Sequence, residues 1–267
     1  MSDTYLGIHT NPISRLTDQI KESAGWANSL AIRGGSRTGL ERVDYSGETQ
    51  PAAEFGRDFF DFLPMPAGGL IAWVGNACGH GAGASILMSG IGAFLRRSAV
   101  EKEGHLQKVV GEVNRTVCEV CPDTFYAPLF CCYIDTRRRL LHYVNAGHEP
   151  ALLVRQRTGR AHRLESTGPV LGLTDRAVYG QRSFPVEAGD VLVAFSEGLS
   201  AAIAPARIAE IVRERMGGRS IDLVRDVLSA GGDTVLKEDR TVLAARLIGV
   251  LGETVPKAHE TALVCAA

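Results

Sequence analysis

The sequence has no surplus of charge of either sign and no long apolar run. Its 267 residues carry 29 basic and 30 acidic side chains, which gives a formal net charge of −1 at pH 7. Proteins that bind nucleic acid usually show a basic surplus or stripe, so no nucleic-acid partner is expected. A transmembrane helix would need about 18 consecutive apolar residues, which the chain lacks, and its first residues do not resemble a signal peptide. We therefore expect a soluble, cytoplasmic protein without a membrane partner.

Cysteine is also scarce, with six residues in the whole chain. Because a cytoplasmic protein is kept reduced, structural disulfides are not expected. Cys118 and Cys121 form a Cys-x-x-Cys pair that is followed by Cys131 and Cys132, which raises the alternative of a zinc site. Two adjacent cysteines are a poor second ligand pair, and the first pair lies in an apolar helical pattern. Small buried thiols are therefore the favoured interpretation.

The spacing of apolar residues divides the chain into three parts. It predicts a helix over residues 12–30, followed by a break at the glycines of 34–36. We expect an N-terminal helix and linker at 1–38, a main domain at 39–248 and a tail at 249–267. The apolar stripe of the first helix fits either contacts in a homodimer or docking onto the same chain.

Within the main domain, strands cluster, helices follow, and strands return. This order differs from the strand–helix alternation of a parallel sheet and indicates an α+β fold in which antiparallel sheets and helices pack in layers. The basic run at 137–139 is predicted to be a solvated hairpin turn. The predicted strands are 40–45, 55–63, 70–76, 127–134, 140–145, 151–155, 162–164, 178–185, 191–195 and 241–247, and the predicted helices are 84–103, 105–120, 205–216 and 220–230.

Four short segments place a carboxylate or an amide beside small residues at the end of a predicted strand. Their polar residues are Asp58, Asn76, Glu197 and Asp239. Strand ends can bring such side chains together across a sheet, and clustered oxygen ligands bind hard cations such as Mg²⁺ or Mn²⁺. Each residue taken alone is more simply explained as part of a turn, so the prediction depends on the four acting together.

These segments, in the same order, resemble the PPM (protein phosphatase 2C-like) family in its bacterial SpoIIE-like branch. The resemblance extends over residues 40–247, most of the chain. The matching segments are Gly-Arg-Asp-Phe-Phe-Asp at 56–61, Gly-Asn-Ala-Cys-Gly-His-Gly at 75–81, Asn-Ala-Gly-His-Glu-Pro at 145–150, Ser-Glu-Gly at 196–198 and Glu-Asp-Arg-Thr at 238–241.

The resemblance implies a four-layer α-β-β-α sandwich of two mainly antiparallel sheets flanked by helices. It also implies a two-cation Mn²⁺ or Mg²⁺ site that hydrolyses phosphoserine or phosphothreonine on a protein. By family position, Asp58 would bind one cation, residue 76 would bridge both, the Ala77 carbonyl would add a ligand, and residues 197 and 239 would complete the set. The usual partners in this branch are phosphorylated STAS (anti-anti-sigma) proteins of partner-switching pathways.

Two of these positions depart from the family pattern. Asn76 offers one neutral oxygen where a bridging aspartate would offer two charged ones, which weakens cation binding. Glu197 keeps the charge but reaches one methylene farther. Arg57 replaces a glycine and is either a phosphate-binding side chain or a solvent-facing one. His80 is either exposed or catalytic, and exposure is the favoured interpretation. His148 either forms structural hydrogen bonds near the site or acts as a general acid, and the structural role is favoured.

Three functions remain open at this point. The first is a phosphatase whose catalysis is impaired by Asn76 and Glu197. The second is a catalytically dead pseudophosphatase that binds a phosphoprotein. The third is a nucleotide-binding domain, because the glycine-rich segment from residue 79 to 84 follows a strand and opens a helix. The third is the least favoured, since two helices rather than a second parallel strand follow.

Overall fold

The fold is described from a computed structural model. The described residues are 32–38, 41–52, 56–65, 68–78, 82–102, 104–121, 125–232 and 236–249. The predicted helix at 12–30, His80 and residues 250–267 of the predicted tail lie outside them. In the part of the chain that is described, no helix has the length and apolarity needed to cross a membrane.

Two antiparallel sheets form the centre of the molecule. The first has six strands in the spatial order β1 (Ile32–Thr38), β2 (Glu41–Gln50), β11 (Arg240–Gly249), β10 (Val191–Phe195), β7 (Ala151–Val154) and β8 (Ala161–Leu164). The second has five strands in the order β3 (Asp58–Pro64), β4 (Leu70–Asn76), β5 (Leu129–Asp135), β6 (Leu140–Ala146) and β9 (Arg182–Pro185). Every strand pairing is antiparallel. The predicted α+β fold is confirmed.

Three apolar clusters separate four layers. Strand β4 illustrates the arrangement, because Leu70, Ala72 and Val74 pack between the two sheets while Ile71 and Trp73 pack against helices on the other face. Those helices are α1 (Ala82–Glu101) and α2 (Leu106–Val120). On the outer face of the first sheet lie α3 (Glu197–Ser200), α4 (Pro205–Glu214) and α5 (Ser220–Ala230). This is the α-β-β-α sandwich that the family resemblance implies.

Several predicted elements match the structure closely, while others differ for identifiable reasons. Strands β4 and β10 and helix α5 have the predicted bounds, because each is a continuous or strongly periodic apolar segment. The prediction of a break at residues 34–36 is wrong, since these residues belong to β1, which pairs with β2. Here the pairing of backbone groups forms an edge strand despite its glycines. The domain boundary at residue 39 stays a prediction.

The loop before β9 is the other difference. The strand predicted from residue 178 begins only at Arg182, because Gly180 N donates instead to the Thr167 carbonyl, at 2.9 Å. The basic turn at 137–139 is confirmed, since Asp135 Oδ1 accepts hydrogen bonds from the N–H groups of Arg137 and Arg138, each at 3.0 Å. Asp135 thus fixes the turn that joins β5 to β6.

Candidate acidic site

The register of the β3–β4 hairpin places Asp58 directly opposite Asn76. Asn76 Nδ2 donates a hydrogen bond to Asp58 Oδ1, at 2.8 Å. Because Asp58 Oδ1 is the acceptor, the amide turns its NH₂ group, and not its oxygen, towards Asp58. Asp58 and Asn76, two of the four predicted side chains, are therefore joined directly by a hydrogen bond and not through a shared cation.

Asp239 binds the chain segment that leads into β3. Its Oδ1 accepts a hydrogen bond from Ala52 N at 2.8 Å, and its Oδ2 accepts one from Asp58 N at 3.0 Å. A third, short hydrogen bond joins Arg57 N to the same Oδ2. The Asp239 carboxylate thus accepts hydrogen bonds from three backbone N–H groups. These bonds hold Asp58 in place at the end of the second sheet.

Ser196 connects the first sheet to this arrangement. Its hydroxyl donates to the Asp239 carbonyl at 3.2 Å and accepts from Thr241 N at 2.9 Å. The Thr241 hydroxyl in turn lies 2.8 Å from that of Thr49 on β2. The sequence reasoning did not single out Ser196 or Thr241 as site residues, although both stand inside the segments that carry the resemblance.

Glu197 lies beside the cluster in the chain, but its side chain is exposed at the start of α3. The following residue must be glycine, because a Cβ on Gly198 would lie 2.2 Å from the Asp239 carbonyl oxygen. Tyr126 lies nearby, and its pKa is raised by a hydrogen bond and a charge interaction with Cys78, by burial and, least, by the charge of Glu197. Glu197 therefore lies at the exposed edge of the site, near Tyr126.

Ala77 and Arg57 complete the set of predicted residues. Ala77 is fully buried, and its N–H donates to the Arg57 carbonyl at 3.0 Å. The Arg57 guanidinium is partly exposed, and its Nη2 lies 3.6 Å from Glu238 Oε1. An exposed pair at that distance contributes little to stability, so the guanidinium is available to another anion.

The environment of Asp58 strongly favours its neutral form. Burial raises the pKa of Asp58 to about 7; the Ser196 and Thr241 hydroxyls and Arg57 act to lower it, and the charge of Asp239 to raise it. The two hydroxyls lie close, but no described atom makes a hydrogen bond of good geometry to Asp58 Oδ2, which is buried. Asp58 is thus a buried acid with one oxygen bound to Asn76 and one without a partner among the described residues.

His148, in the segment 145–150, has a structural role. The His148 N–H donates to Asn145 Oδ1 at 2.8 Å, and its Nδ1 lies 3.0 Å from the Glu149 carbonyl, to which it must donate. Burial lowers the pKa of His148 to about 4, so the ring is neutral at pH 7. These contacts fix the turn between β6 and β7.

In this arrangement the described side chains make hydrogen bonds instead of converging on the two-cation site that the resemblance implies, so their roles as ligands stay predictions. Among these residues, no three His, Cys, Asp or Glu side chains converge on a common cation position. Asn76 turns its NH₂ group towards Asp58, and the Asp239 carboxylate accepts hydrogen bonds from backbone N–H groups. The Glu197 side chain is exposed to solvent. Hydrogen bonds thus join the acidic cluster, while Asp58 Oδ2 is left without a partner among the described residues.

The cysteines and the glycine-rich segment do not suggest a different site. Cys131 and Cys132 are buried on opposite faces of β5, so they cannot share a metal with each other. Strand β4, which precedes the glycine-rich segment, is antiparallel to both of its neighbours, unlike the parallel strands of a dinucleotide-binding domain.

Curated relatives match most of this chain but only part of their own length. Phosphoserine phosphatase RsbU of Bacillus subtilis (strain 168) is 25% identical over 215 residues, which are 77% of this chain and 64% of RsbU. Protein IcfG of Synechocystis is 26% identical over 194 residues, which are 63% of this chain and 30% of IcfG. The chain therefore spans less than two thirds of the length of each of these relatives.

Solved structures share the fold. The RsbU and RsbW domains of Rv1364c from Mycobacterium tuberculosis align with a TM-score of 0.70 and 26% identity, over 84% of this chain and 63% of that one. The PP2C phosphatase domain of SpoIIE from Bacillus subtilis aligns with a TM-score of 0.67 and 14% identity, over 90% of this chain and 77% of that one.

A third structure shows the fold with metal bound. The catalytic domain of the serine/threonine protein phosphatase PstP, in complex with two manganese ions, aligns with a TM-score of 0.63 and 13% identity, over 78% of this chain and 99% of that one. At this identity the likeness concerns the fold alone. The family model of stage II sporulation protein E (SpoIIE) matches residues 66–248. Since this match covers more than half of the chain, the protein belongs to the SpoIIE family, the sigma-regulating branch of the PPM phosphatases.

Proposed function

We propose that this chain is a cytoplasmic phosphatase-type domain that binds a regulatory protein phosphorylated on serine or threonine. The proposed partner is a STAS (anti-anti-sigma) protein of a partner-switching pathway, and the proposed domain spans residues 39–248. Membership of the SpoIIE family and similarity to RsbU, a phosphoserine phosphatase, support this proposal. Hydrolysis would depend on Mn²⁺ or Mg²⁺ and would be impaired by Asn76 and Glu197.

The observation that carries the proposal is the meeting of Asp58, Asn76 and Asp239 at adjoining strand ends. These residues are far apart in the chain, yet hydrogen bonds of 2.8 and 3.0 Å join them through the Asn76 amide and the Asp58 N–H. Ala77 and Glu197 flank the cluster and are the remaining proposed ligands. An oxygen-rich cluster at the edge of two stacked sheets is what a phosphatase of this family would need.

Arg57 is the proposed phosphate-binding residue. Its guanidinium is partly exposed next to Asp58, and its pairing with Glu238, at 3.6 Å, is loose. A phosphate accepts two parallel hydrogen bonds from a guanidinium and would displace such a partner. Arg57→Ala should weaken binding of the phosphorylated STAS protein about tenfold or more, while Arg163→Ala, which removes an exposed arginine on β8, should not.

Titration calorimetry with phosphorylated and unphosphorylated STAS protein tests the binding step. We expect the wild type to prefer the phosphorylated form and Arg57→Ala to lose most of that preference. Equal affinity for both forms in the wild type would refute phosphoprotein recognition.

The Asn76–Asp58 hydrogen bond favours a second function, that of a pseudophosphatase. In that case the chain binds the phosphoprotein as a regulatory module and never hydrolyses it. Hydrolysis of p-nitrophenyl phosphate and of the phosphorylated STAS protein, measured over a wide range of Mn²⁺ and Mg²⁺, separates the two functions. Slow turnover by the wild type that rises in Asn76→Asp supports an impaired phosphatase, whereas turnover in Asn76→Asp alone supports the pseudophosphatase.

A further inference from the structure

Two cysteines lie side by side at the end of α2, away from the acidic cluster. Cys118 is in the last turn of the helix, and Cys121 follows its end with its N–H still bonded to the Val117 carbonyl at 2.9 Å. The Cα of residue 121 therefore keeps its helical position. In a helix, Cα atoms three residues apart are about 5 Å from each other, which is within the range found for disulfides, about 4.4–6.8 Å. Their Cβ atoms are about 5–6 Å apart, against about 3.5–4.5 Å in a disulfide, so closing the bond requires a small movement at Cys121, which lies beyond the last helical residue.

The two thiols also face the same open space. Both are partly exposed and line one cavity of about 450 Å³, together with Phe125 and the turn at 172–175. Burial raises the pKa of Cys121, and the Cys118 thiol adds to that effect. Small reagents can therefore reach both sulfur atoms.

The other described cysteines lack this combination of access and pairing. Cys131 is 1% exposed and Cys132 is 0% exposed, and they point to opposite faces of β5. Cys78 is partly exposed but lies beside Tyr126, at the acidic site. Among the described residues, no third His, Cys, Asp or Glu side chain completes a metal site with Cys118 and Cys121. Cys118 and Cys121 are therefore interpreted as a pair of free thiols and not as metal ligands.

We propose that Cys118 and Cys121 form a redox-active dithiol that closes to an intramolecular disulfide by exchange with a small disulfide such as oxidised glutathione. One cysteine thiolate attacks the glutathione disulfide, forms a mixed disulfide and releases one glutathione. The second thiolate attacks the protein sulfur and releases the other glutathione. Two protein S–H bonds and one glutathione S–S bond are thereby exchanged for one protein S–S bond and two glutathione S–H bonds.

The thiol environment predicts how this exchange behaves. Burial raises the pKa of Cys118 and Cys121, so few thiolates exist at pH 7 and the exchange is slow there. The same absence of thiolate stabilisation favours the oxidised form at equilibrium, in contrast to oxidant proteins whose reduced form is stabilised. The exchange should accelerate as the pH rises towards the thiol pKa.

The dithiol is well placed to affect the neighbouring turn. The Asn114 side chain, one helical turn before Cys118, accepts from Gly172 N at 3.0 Å and donates to the Thr174 carbonyl at 2.8 Å. Leu171 pairs with Ala127, which follows Tyr126, and the Tyr126 carbonyl accepts from Cys78 N at 2.9 Å. A series of contacts through the turn at 171–174 thus connects α2 with Tyr126 and Cys78.

Peptide mapping of the full chain tests the proposal. The protein is equilibrated in glutathione redox buffers, remaining thiols are alkylated, and the chain is cleaved at glutamate. Glu119 lies between the two cysteines, so cleavage there leaves residues 113–119 joined to the following peptide only through a disulfide. We expect this joined product in the wild type and its loss in Cys118→Ser and Cys121→Ser, which should carry a single glutathione instead. Circular dichroism checks that each variant is folded.

Cys131→Ser is the matched control, because it removes a buried thiol from the same proteolytic product and should leave the joined peptides unchanged. Alkylated, unlinked Cys118 and Cys121 in the most oxidising buffer would overturn the proposal. So would a stable mixed disulfide with glutathione on the wild type, or an intermolecular dimer as the main product.

Discussion

The side-chain amide of Asn76 donates a hydrogen bond to Asp58 Oδ1 across directly opposed positions of β3 and β4, at 2.8 Å. A neutral donor therefore stands where the family resemblance implies a second carboxylate. The contact supplies a partner for a buried acid that would otherwise remain unsatisfied. The hydrogen bond joins Asp58 and Asn76 without a cation, and several measurable consequences follow from that.

Asn76→Asp should destabilise the protein in the absence of metal and make it respond to Mn²⁺. The change removes the donor to Asp58 and places like charges together, at a cost of about 1–3 kcal/mol or more. We expect the melting temperature of this variant to rise with added Mn²⁺, while that of the wild type changes little.

Asn76→Ala separates loss of the hydrogen bond from the added charge. It should be destabilised without any recovery in Mn²⁺. A wild type whose melting temperature rises strongly at low Mn²⁺ concentration would contradict the interpretation of a cation-independent cluster.

Asp239→Ala should destabilise the fold by about 3 kcal/mol or more, because it leaves three backbone N–H groups of the segment before β3 without their acceptor. Urea unfolding measures the change. Asp222→Ala is the control, since that carboxylate forms a surface ion pair with Arg219 and its loss should cost less than about 1 kcal/mol. Similar losses in both variants would mean that Asp239 does not hold the segment.

Gly198→Ala should destabilise the protein by about 1–3 kcal/mol, because the new methyl group would lie 2.2 Å from the Asp239 carbonyl oxygen and the backbone would have to move. Gly111→Ala should have the opposite effect. It lies inside α2 with no atom within 4 Å of the added Cβ, so helix propensity should stabilise the variant by about 1 kcal/mol. Equal effects would show that the close contact at Gly198 relaxes freely.

The elements that the sequence predicted well are those whose own side chains determine them. The apolar run of β4 and the periodic face of α5 need little help from the rest of the chain. Strand β1 was missed because its pairing with β2 depends on backbone groups, and no local side-chain pattern reports that pairing.

The candidate site was predicted in the same partial way. Asp58, Asn76 and Asp239 were expected to meet, and the register of the sheets brings them together. The hydrogen bonds of Asp239 with the segment before β3, and those of Ser196 with Thr241, join residues that are far apart in the chain, so no local sequence pattern predicts them. The direction in which the Asn76 amide faces is set by the acceptor opposite to it. Glu197 is exposed, and its role as a cation ligand stays a prediction.

The stability of the wild type should fall between pH 4 and pH 8 relative to that of Asp58→Asn. The pKa of Asp58 is raised to about 7 in the folded state, against about 4 in the unfolded chain, so the folded state binds the extra proton in between. Its contribution is therefore present at low pH and lost as the pH rises through 7. The difference should be at most about 4 kcal/mol.

Urea unfolding of both proteins at several pH values measures this difference. His148 has the opposite slope, because its pKa is lowered to about 4 and folding then excludes a proton. That contribution is common to both proteins and cancels. A difference in stability that is constant with pH would refute the raised pKa of Asp58.

The three apolar layers hold most of the buried side chains, and the acidic residues stand at strand ends outside them. An asparagine at position 76 is thus compatible with the α-β-β-α sandwich. The fold of such a protein can be retained while the chemistry of the acidic site changes. Likeness of architecture alone is then a poor guide to whether any given member turns over its substrate.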